Sequence, residues 1–309
     1  MTVPVLYIGG LGRSGSTLAD RILGQAPGVW SVGELVFLWE RGLVRNERCG
    51  CGEAFRDCDF WDEVGRRAVG GWDRLDADAV LRLQRSVDRT RYLPQMLVPW
   101  LAPAYARRLR RYADLLGRVY EAVAETGGAR VIVDSSKHVS TAVLLRHVPG
   151  VDVRLLQLVR DPRAVAFSWA KTVARPDAPG SFMARTGPAR TALRWLGTNV
   201  ALACLRLAPG SLRPAARYED VVRAPAAWAR RTLDQAGAGD QAPDFADDHV
   251  AIFGVGHSVS GNPMRFRSGP VEIVADEEWR HAMPRRDRAL VGAITLPLRV
   301  VVAYRGRAA

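Results

Sequence analysis

The sequence predicts an α/β fold, with a central parallel sheet flanked by helices and interrupted by a helical insertion. Three observations predict it. An apolar run, Val3 to Ile8, ends in a glycine-rich turn and leads into an amphipathic segment. Between residues 129 and 172, strand-like and helix-like segments alternate twice, which implies crossover connections in a parallel sheet. Between these two regions lies a long, mostly helical stretch from about 74 to 126.

In chain order, Val3 to Ile8 reads as a buried strand and Ser16 to Gln25 as a helix with Leu18, Ile22 and Leu23 on one face. Residues 28–34 form a second extended segment that ends at Gly33-Glu34. After the helical stretch come a strand at Ala129 to Val133, a helix at Val139 to His147, a strand at Val153 to Val159 and a helix at Arg163 to Thr172. Residues 186–208 read as helix, and Arg213 to Tyr218 as a further strand. The stretch 254–285 has no clean period and reads as a long loop of the kind that usually carries function. With no internal repeat and no low-complexity linker, residues 1–309 are expected to form one domain, with the insertion at about 35–126.

The net charge of +12 is carried almost wholly by arginine, since Lys137 and Lys171 are the only lysines. A basic surface favours anionic ligands and is compatible with contact to an acidic membrane. The arginines are scattered and no nucleic-acid-binding motif occurs, so nucleic acid is not an expected partner. The longest apolar stretches fall short of the ~20 residues of a membrane helix, so no transmembrane segment is expected. The N-terminus has no signal-peptide pattern, and the expected location is cytoplasmic.

The chemistry begins at Gly9-Gly-Leu-Gly-Arg-Ser-Gly-Ser-Thr17. A strand, a glycine turn and a helix N-terminus make an anion site, because unpaired N–H groups and the helix dipole face the ligand. The loop nearly completes a Walker A motif, but Ser16 stands at the lysine position. A nucleoside triphosphatase uses that lysine on the β- and γ-phosphates. Arg13 instead offers a planar fork of donors. The segment Gly12-Arg13-Ser14-Gly15-Ser16-Thr17-Leu18 resembles the 5′-phosphosulfate loop of the sulfotransferase superfamily that uses 3′-phosphoadenosine 5′-phosphosulfate (PAPS). In motif style the resemblance is closest to tyrosylprotein and carbohydrate types and to bacterial members. It implies a P-loop NTPase-like sulfotransferase fold, with Arg13, Ser14, Gly15, Ser16 and Thr17 on the phosphosulfate.

A second strand–turn–helix runs from Leu158 to Ser168, with Asp161 as a good N-cap and Pro162 in the first turn. It resembles the family's 3′-phosphate site, which would place Arg160 and Ser168 on that phosphate. Arg217-Tyr218-Glu219-Asp220 resembles a segment whose tyrosine helps hold the nucleotide, which carries over to Tyr218. The loop from His257 to Arg265 resembles the one that closes over adenine and 3′-phosphate, which puts Ser258 and Arg265 among the expected contacts. That loop departs from the usual R-K-G form.

Transfer to a hydroxyl needs a base and a cation on the leaving oxygen. Glu34 resembles the glutamate base of tyrosylprotein and related Golgi sulfotransferases, and His138 is the rival base. Lys137, a compact ammonium in an arginine-rich chain, suits the leaving oxygen together with Arg13. The expected reaction moves a sulfonyl group from PAPS to a hydroxyl of a small molecule, glycan or lipid-linked acceptor, with no metal required. The alternatives are a P-loop small-molecule kinase and a non-catalytic basic nucleotide-binding module.

Cys49, Cys51 and Cys58 follow a C-x-C-x6-C spacing with no C-x2-C pair and no neighbouring histidine. That is a weak zinc pattern, so a disulfide or packed thiols is the expectation. Trp39, Phe55, Phe60 and Trp61 are candidates for an acceptor pocket.

Overall fold

The computed structural model describes residues 2–175, 180–212, 214–240, 243 and 245–301. Strands β1 (Val3–Gly9), β2 (Val29–Gly33), β3 (Val131–Lys137), β4 (Val151–Val159) and β5 (Ala216–Arg217) form one sheet in the order β2-β3-β1-β4-β5. Every pairing is parallel. Alternate residues of β1 feed opposite cores: Val3, Val5 and Tyr7 join one cluster and Leu6 and Ile8 the other. A strand buried on both faces must be apolar throughout.

Helix α1 (Ser16–Leu23) follows β1 and stops at Gly24, two residues before the expected end. Between β2 and β3, residues 35–127 hold a π-helical turn at Leu38–Val44, α2 (Asp59–Val69), α3 (Ala77–Val87), the short α4 (Leu93–Leu97) and the 25-residue α5 (Pro103–Gly127). The buried stripe of α5, from Tyr105 through Leu109 and Leu116 to Val123, belongs to the same cluster as Val5 and Tyr7. The insertion therefore shares a core with the sheet.

After β3 come α6 (Val139–Leu144), β4, α7 (Pro162–Ala170), α8 (Pro188–Leu205), β5, α9 (Tyr218–Arg223) and α10 (Pro225–Gln235). Three elements differ from expectation. Strand β3 continues four residues beyond Val133 through Asp134-Ser-Ser-Lys137, because Asp134 pairs with Tyr7 of β1 and, after a one-residue shift in register, Lys137 pairs with Gly9. Of the strand expected at 213–218, only Ala216–Arg217 forms, and Arg213 lies outside the described residues. The stretch expected as loop contains β8 (Gly269–Glu272), which joins β6 (Phe245–Asp247) and β7 (Val250–Phe253) in a small antiparallel sheet. Its Gly-Pro start and four-residue length hid it, since proline in a strand is normally an edge feature. Helices α11 (Trp279–Ala282) and α12 (Arg285–Val301) follow. Among the described residues no helix is long and apolar enough to cross a membrane.

One buried carboxyl affects stability. Asp20 on α1 accepts a hydrogen bond from Ser31 Oγ at 2.6 Å. Burial raises its pKa from the usual 3.8 to about 7, against that hydrogen bond. The folded state thus holds the proton more tightly than the unfolded chain. Its contribution is complete below about pH 3.8 and is lost as pH rises to about 7. Between pH 5 and pH 8 this one group is expected to remove about 2–3 kcal/mol of unfolding free energy. Denaturant unfolding of Asp20→Asn should show a correspondingly shallower pH slope, and an unchanged slope would refute the assignment.

Candidate active site

The carboxyl ends of the five strands meet at one cavity of about 1320 Å³. This edge is where open α/β sheets place their ligands. From β1 comes the loop Gly10–Thr17, from β2 Glu34, from β3 Lys137 and His138, from β4 Arg160, and from β5 Tyr218. The insertion adds Phe37, Gln84, Arg85 and Asp88 as another wall.

The first loop turns tightly into the N-terminus of α1. Gly15 caps α1 with φ +87 and no side-chain cap. A Cβ on Gly15 would lie 2.4 Å from the Tyr218 ring, so only glycine lets the loop rest on that tyrosine. Arg13 also takes a left-handed φ of 73 and stands over the Trp169 ring at 5.7 Å. Burial lowers its pKa and Glu34 opposes that shift. Trp169 Nε1 donates to Gly12 O at 2.8 Å and fixes the loop from the α7 side. Ser14 Oγ is buried with no hydrogen-bond partner, and Ser14 alone in this loop does not border the cavity. Thr17 Oγ1 accepts from Asn262 N at 3.2 Å.

The second cradle follows β4. Asp161 caps α7 by accepting from Arg163 N at 2.9 Å, and its other oxygen pairs with Arg163 Nη2 at 2.6 Å. Arg160 is only 5% exposed. Its guanidinium donates to Arg13 O at 3.2 Å, pairs with Asp276 Oδ2 at 3.0 Å and lies 4.3 Å over the Tyr218 ring. Arg160 Nε has no partner. Burial works against the Asp276 charge, but the Arg160 hydrogen bond and charge hold its carboxyl below the usual range. Ser168 lines the same cavity, two helical turns along α7. The two cradles are therefore linked through Arg160 and Arg13 rather than merely adjacent.

Beside the first cradle, at the ends of β2 and β3, sits an ion pair. Lys137 Nζ is 2.5 Å from Glu34 Oε1, and each side chain is 12% exposed. Lys137 has φ +72, which turns the chain at the end of β3, and its Nζ also donates to Ser135 O at 3.1 Å. A network that sequence reasoning missed ties the end of β3 to the segment just after Glu34. Asp134 accepts from Tyr120 OH, Ser136 Oγ and Ser136 N, and Ser136 Oγ accepts from Val36 N at 3.0 Å. Burial raises the Asp134 pKa against these hydrogen bonds. The available signal was a run of three small polar residues just before Lys137.

His138 also lines the cavity, edge-on to Phe37 with ring centres 5.9 Å apart. Desolvation and then Lys137 lower its pKa, against Asp88 and Glu34, so the imidazole is neutral near pH 7. Both candidate bases thus face one space.

Two expected contacts and the aromatic group are placed elsewhere. Arg265 is 2% exposed and donates to Ser258 O and Arg48 O, both at 2.6 Å. Ser258 is buried behind Gly33, and neither residue borders the cavity. Asn262, Met264 and Arg267 of the same segment do border it. Trp39, Phe55, Phe60 and Trp61 are buried in the core of the insertion: Phe55 stacks on Trp61 and Phe60 on Trp30, while Trp61 meets Phe60 and Trp39 meets Trp72 edge-on. Cys49, Cys51 and Cys58 are present as free thiols, and Cys204 is exposed on α8.

The fold and the site define a phosphate-loop protein whose loop lacks lysine and whose second basic cradle follows the fourth strand. A family model described as "Sulfotransferase family" matches residues 4–241, and the chain belongs to that family. The search of curated proteins gives no match. Among solved structures the chain is similar to the sulfotransferase domain of the Synechococcus PCC 7002 olefin synthase, at 22% identity and a TM-score of 0.52, over 99% of this chain and 97% of that one. It also matches sulfotransferase STF9 from Mycobacterium avium at 16% identity and TM-score 0.40, over 77% of this chain and 64% of that one. A sulfotransferase from Alicyclobacillus acidocaldarius matches at 14% and 0.35, over 96% of both chains. The first likeness shows the fold, which is the P-loop-like sulfotransferase fold.

Proposed function

We propose that the protein transfers a sulfonyl group from PAPS to a hydroxyl acceptor. The observation that carries this reading is the pair of anion cradles, after β1 and after β4, opening into one cavity with Glu34 and Lys137 beside the first of them. A donor phosphorylated at both 5′ and 3′ positions needs two such cradles. The unpartnered Arg160 Nε in the second cradle supports the fit.

In this reading Arg13, Ser14, Gly15, Ser16 and Thr17 take the 5′-phosphosulfate, and Arg160 with Ser168 takes the 3′-phosphate. Tyr218 supports both, lying beneath Gly15 and against Arg160. The acceptor oxygen attacks sulfur as the bond from sulfur to the 5′-phosphate oxygen breaks. The acceptor proton goes to Glu34. Lys137 turns from Glu34 to the departing oxygen, which both frees the base and neutralises the leaving group. The acceptor enters along the insertion wall of Phe37, Gln84, Arg85 and Asp88.

Adenosine 3′,5′-bisphosphate, the expected product, should raise the melting temperature. At a hundredfold excess over Kd the added stability is about 2.7 kcal/mol. ATP with Mg²⁺ should give little shift. The reverse ranking would favour phosphoryl transfer and overturn the proposal.

A further inference from the structure

Apart from the cavity, the densest cluster of chemically active side chains lies where the insertion meets the loop before β8. Cys49, Cys51, Cys58 and His257 bring one ligand atom each within 4.8 Å of one another. We propose that these four residues form a structural zinc site that fastens the insertion to the loop at 254–262.

The spacing fits a tetrahedron. With Zn–S near 2.3 Å, a tetrahedral site requires sulfur–sulfur edges of about 3.8 Å, and with Zn–N near 2.0–2.1 Å it requires sulfur–nitrogen edges of about 3.6 Å. Cys58 Sγ lies 3.7 Å from Cys51 Sγ and 3.6 Å from Cys49 Sγ. His257 Nδ1 lies 3.2 Å from Cys58 Sγ and 3.9 Å from Cys49 Sγ. A disulfide would use two of the three thiols and leave the third facing an imidazole. Three thiolates and one neutral imidazole complete a closed Cys₃His set, and closed sets are the structural ones. Cys49 and Cys58 are shut off from solvent, which argues against a reactive thiol. None of the four borders the large cavity.

The surroundings hold the ligands in place without the ion. The His257 ring stacks on Phe60 at 5.0 Å, and Trp61 Nε1 donates to His257 O at 2.8 Å. Gly50 N donates to Ser258 O at 3.0 Å. A Cβ on Gly50 would lie 2.6 Å from Gly256 O, so the Cys-Gly-Cys turn reaches the late loop only with glycine there. The Arg265 guanidinium bridges the carbonyls of Arg48 and Ser258, the neighbours of Cys49 and His257. Its positive charge offsets the single negative charge of a Zn²⁺ with three thiolates. Binding would release the three thiol protons.

The site would act at a distance on the cavity. Its late-loop half runs through Val259, whose N–H donates to Val32 O on β2, to Asn262, whose N–H donates to Thr17 Oγ1 in the first loop. Metal loss should therefore loosen residues 48–58 and 254–262 together.

The test is metal analysis of the full chain, purified under reducing, chelator-free conditions from zinc-supplemented cells. One zinc per chain is expected, with an X-ray absorption spectrum of three sulfurs and one nitrogen. Cobalt exchange should give the visible bands of a tetrahedral thiolate site. Cys51→Ser and His257→Ala should each lose the metal. Cys51 is the one cysteine of the three that is not buried, so its variant is the cysteine variant most expected to stay folded. Hydrogen exchange on the chelated wild type should rise at 48–58 and 254–262. Metal far below one per chain without cobalt uptake would overturn the proposal, as would a disulfide among the three thiols found by alkylation mass spectrometry. None of these readouts depends on the sulfonyl donor, so the site and the proposed reaction stand or fall separately.

Discussion

Lys137→Ala is expected to lower kcat by roughly 10²–10³-fold, the usual loss when a group aimed at developing charge is removed. Affinity for adenosine 3′,5′-bisphosphate should change little, because the cradles remain. The backbone adds no new strain, since alanine and lysine both carry a Cβ at this φ of 72. Glu34→Gln keeps the shape but cannot take a proton, and should cost roughly 10²–10⁴-fold in kcat, the range typical of general-base catalysis. His138→Ala is the control, since His138 is neutral near pH 7 and shares the cavity. An acidic limb in the pH–rate profile that persists in Glu34→Gln and vanishes in His138→Ala would move the base to His138. The Glu34–Lys137 contact of 2.5 Å makes the two effects coupled, so the double variant should lose less than the product of the single losses.

The second large effect is expected at Arg160. Arg160→Ala should weaken adenosine 3′,5′-bisphosphate by about 2–4 kcal/mol, roughly 30- to 1000-fold. The guanidinium is buried, joins the two cradles through Arg13 O and is oriented by Asp276 and Tyr218. Arg160→Lys should not restore affinity, because an ammonium cannot serve this forked arrangement. Titration with adenosine 5′-phosphosulfate, which lacks the 3′-phosphate, separates recognition from scaffolding. Its affinity should fall far less. An equal loss for both ligands would reduce Arg160 to a structural role.

Much of the candidate site was legible because its parts are local. Gly9–Thr17 is a strand end, a turn and a helix start in nine consecutive residues, and Leu158–Ser168 repeats that pattern. Periodicity and turn chemistry act over such distances, so both cradles could be read before any fold was known. Arg265 shows the limit. Its place in a long loop reads as a nucleotide contact, yet the side chain is buried against backbone carbonyls from residues 48 and 258. The aromatics at 39–61 were misplaced for the same reason: burial depends on which surfaces meet, and sequence order does not give that. The missing histidine of the cysteine group lies 199 residues from Cys58.

Sequence alone determined that a parallel α/β sheet carries a lysine-free phosphate loop, because hydrophobic period, glycine placement and helix capping are local properties. It also placed Glu34, Lys137, Arg160 and Tyr218 at strand ends. Only the tertiary structure decided that those ends open into one cavity, since strand order β2-β3-β1-β4-β5 is fixed by packing between distant segments. The same packing paired Glu34 with Lys137 and drew His257 to three cysteines. Side-chain chemistry is written residue by residue, but its meaning depends on neighbours that only burial of the two cores brings together.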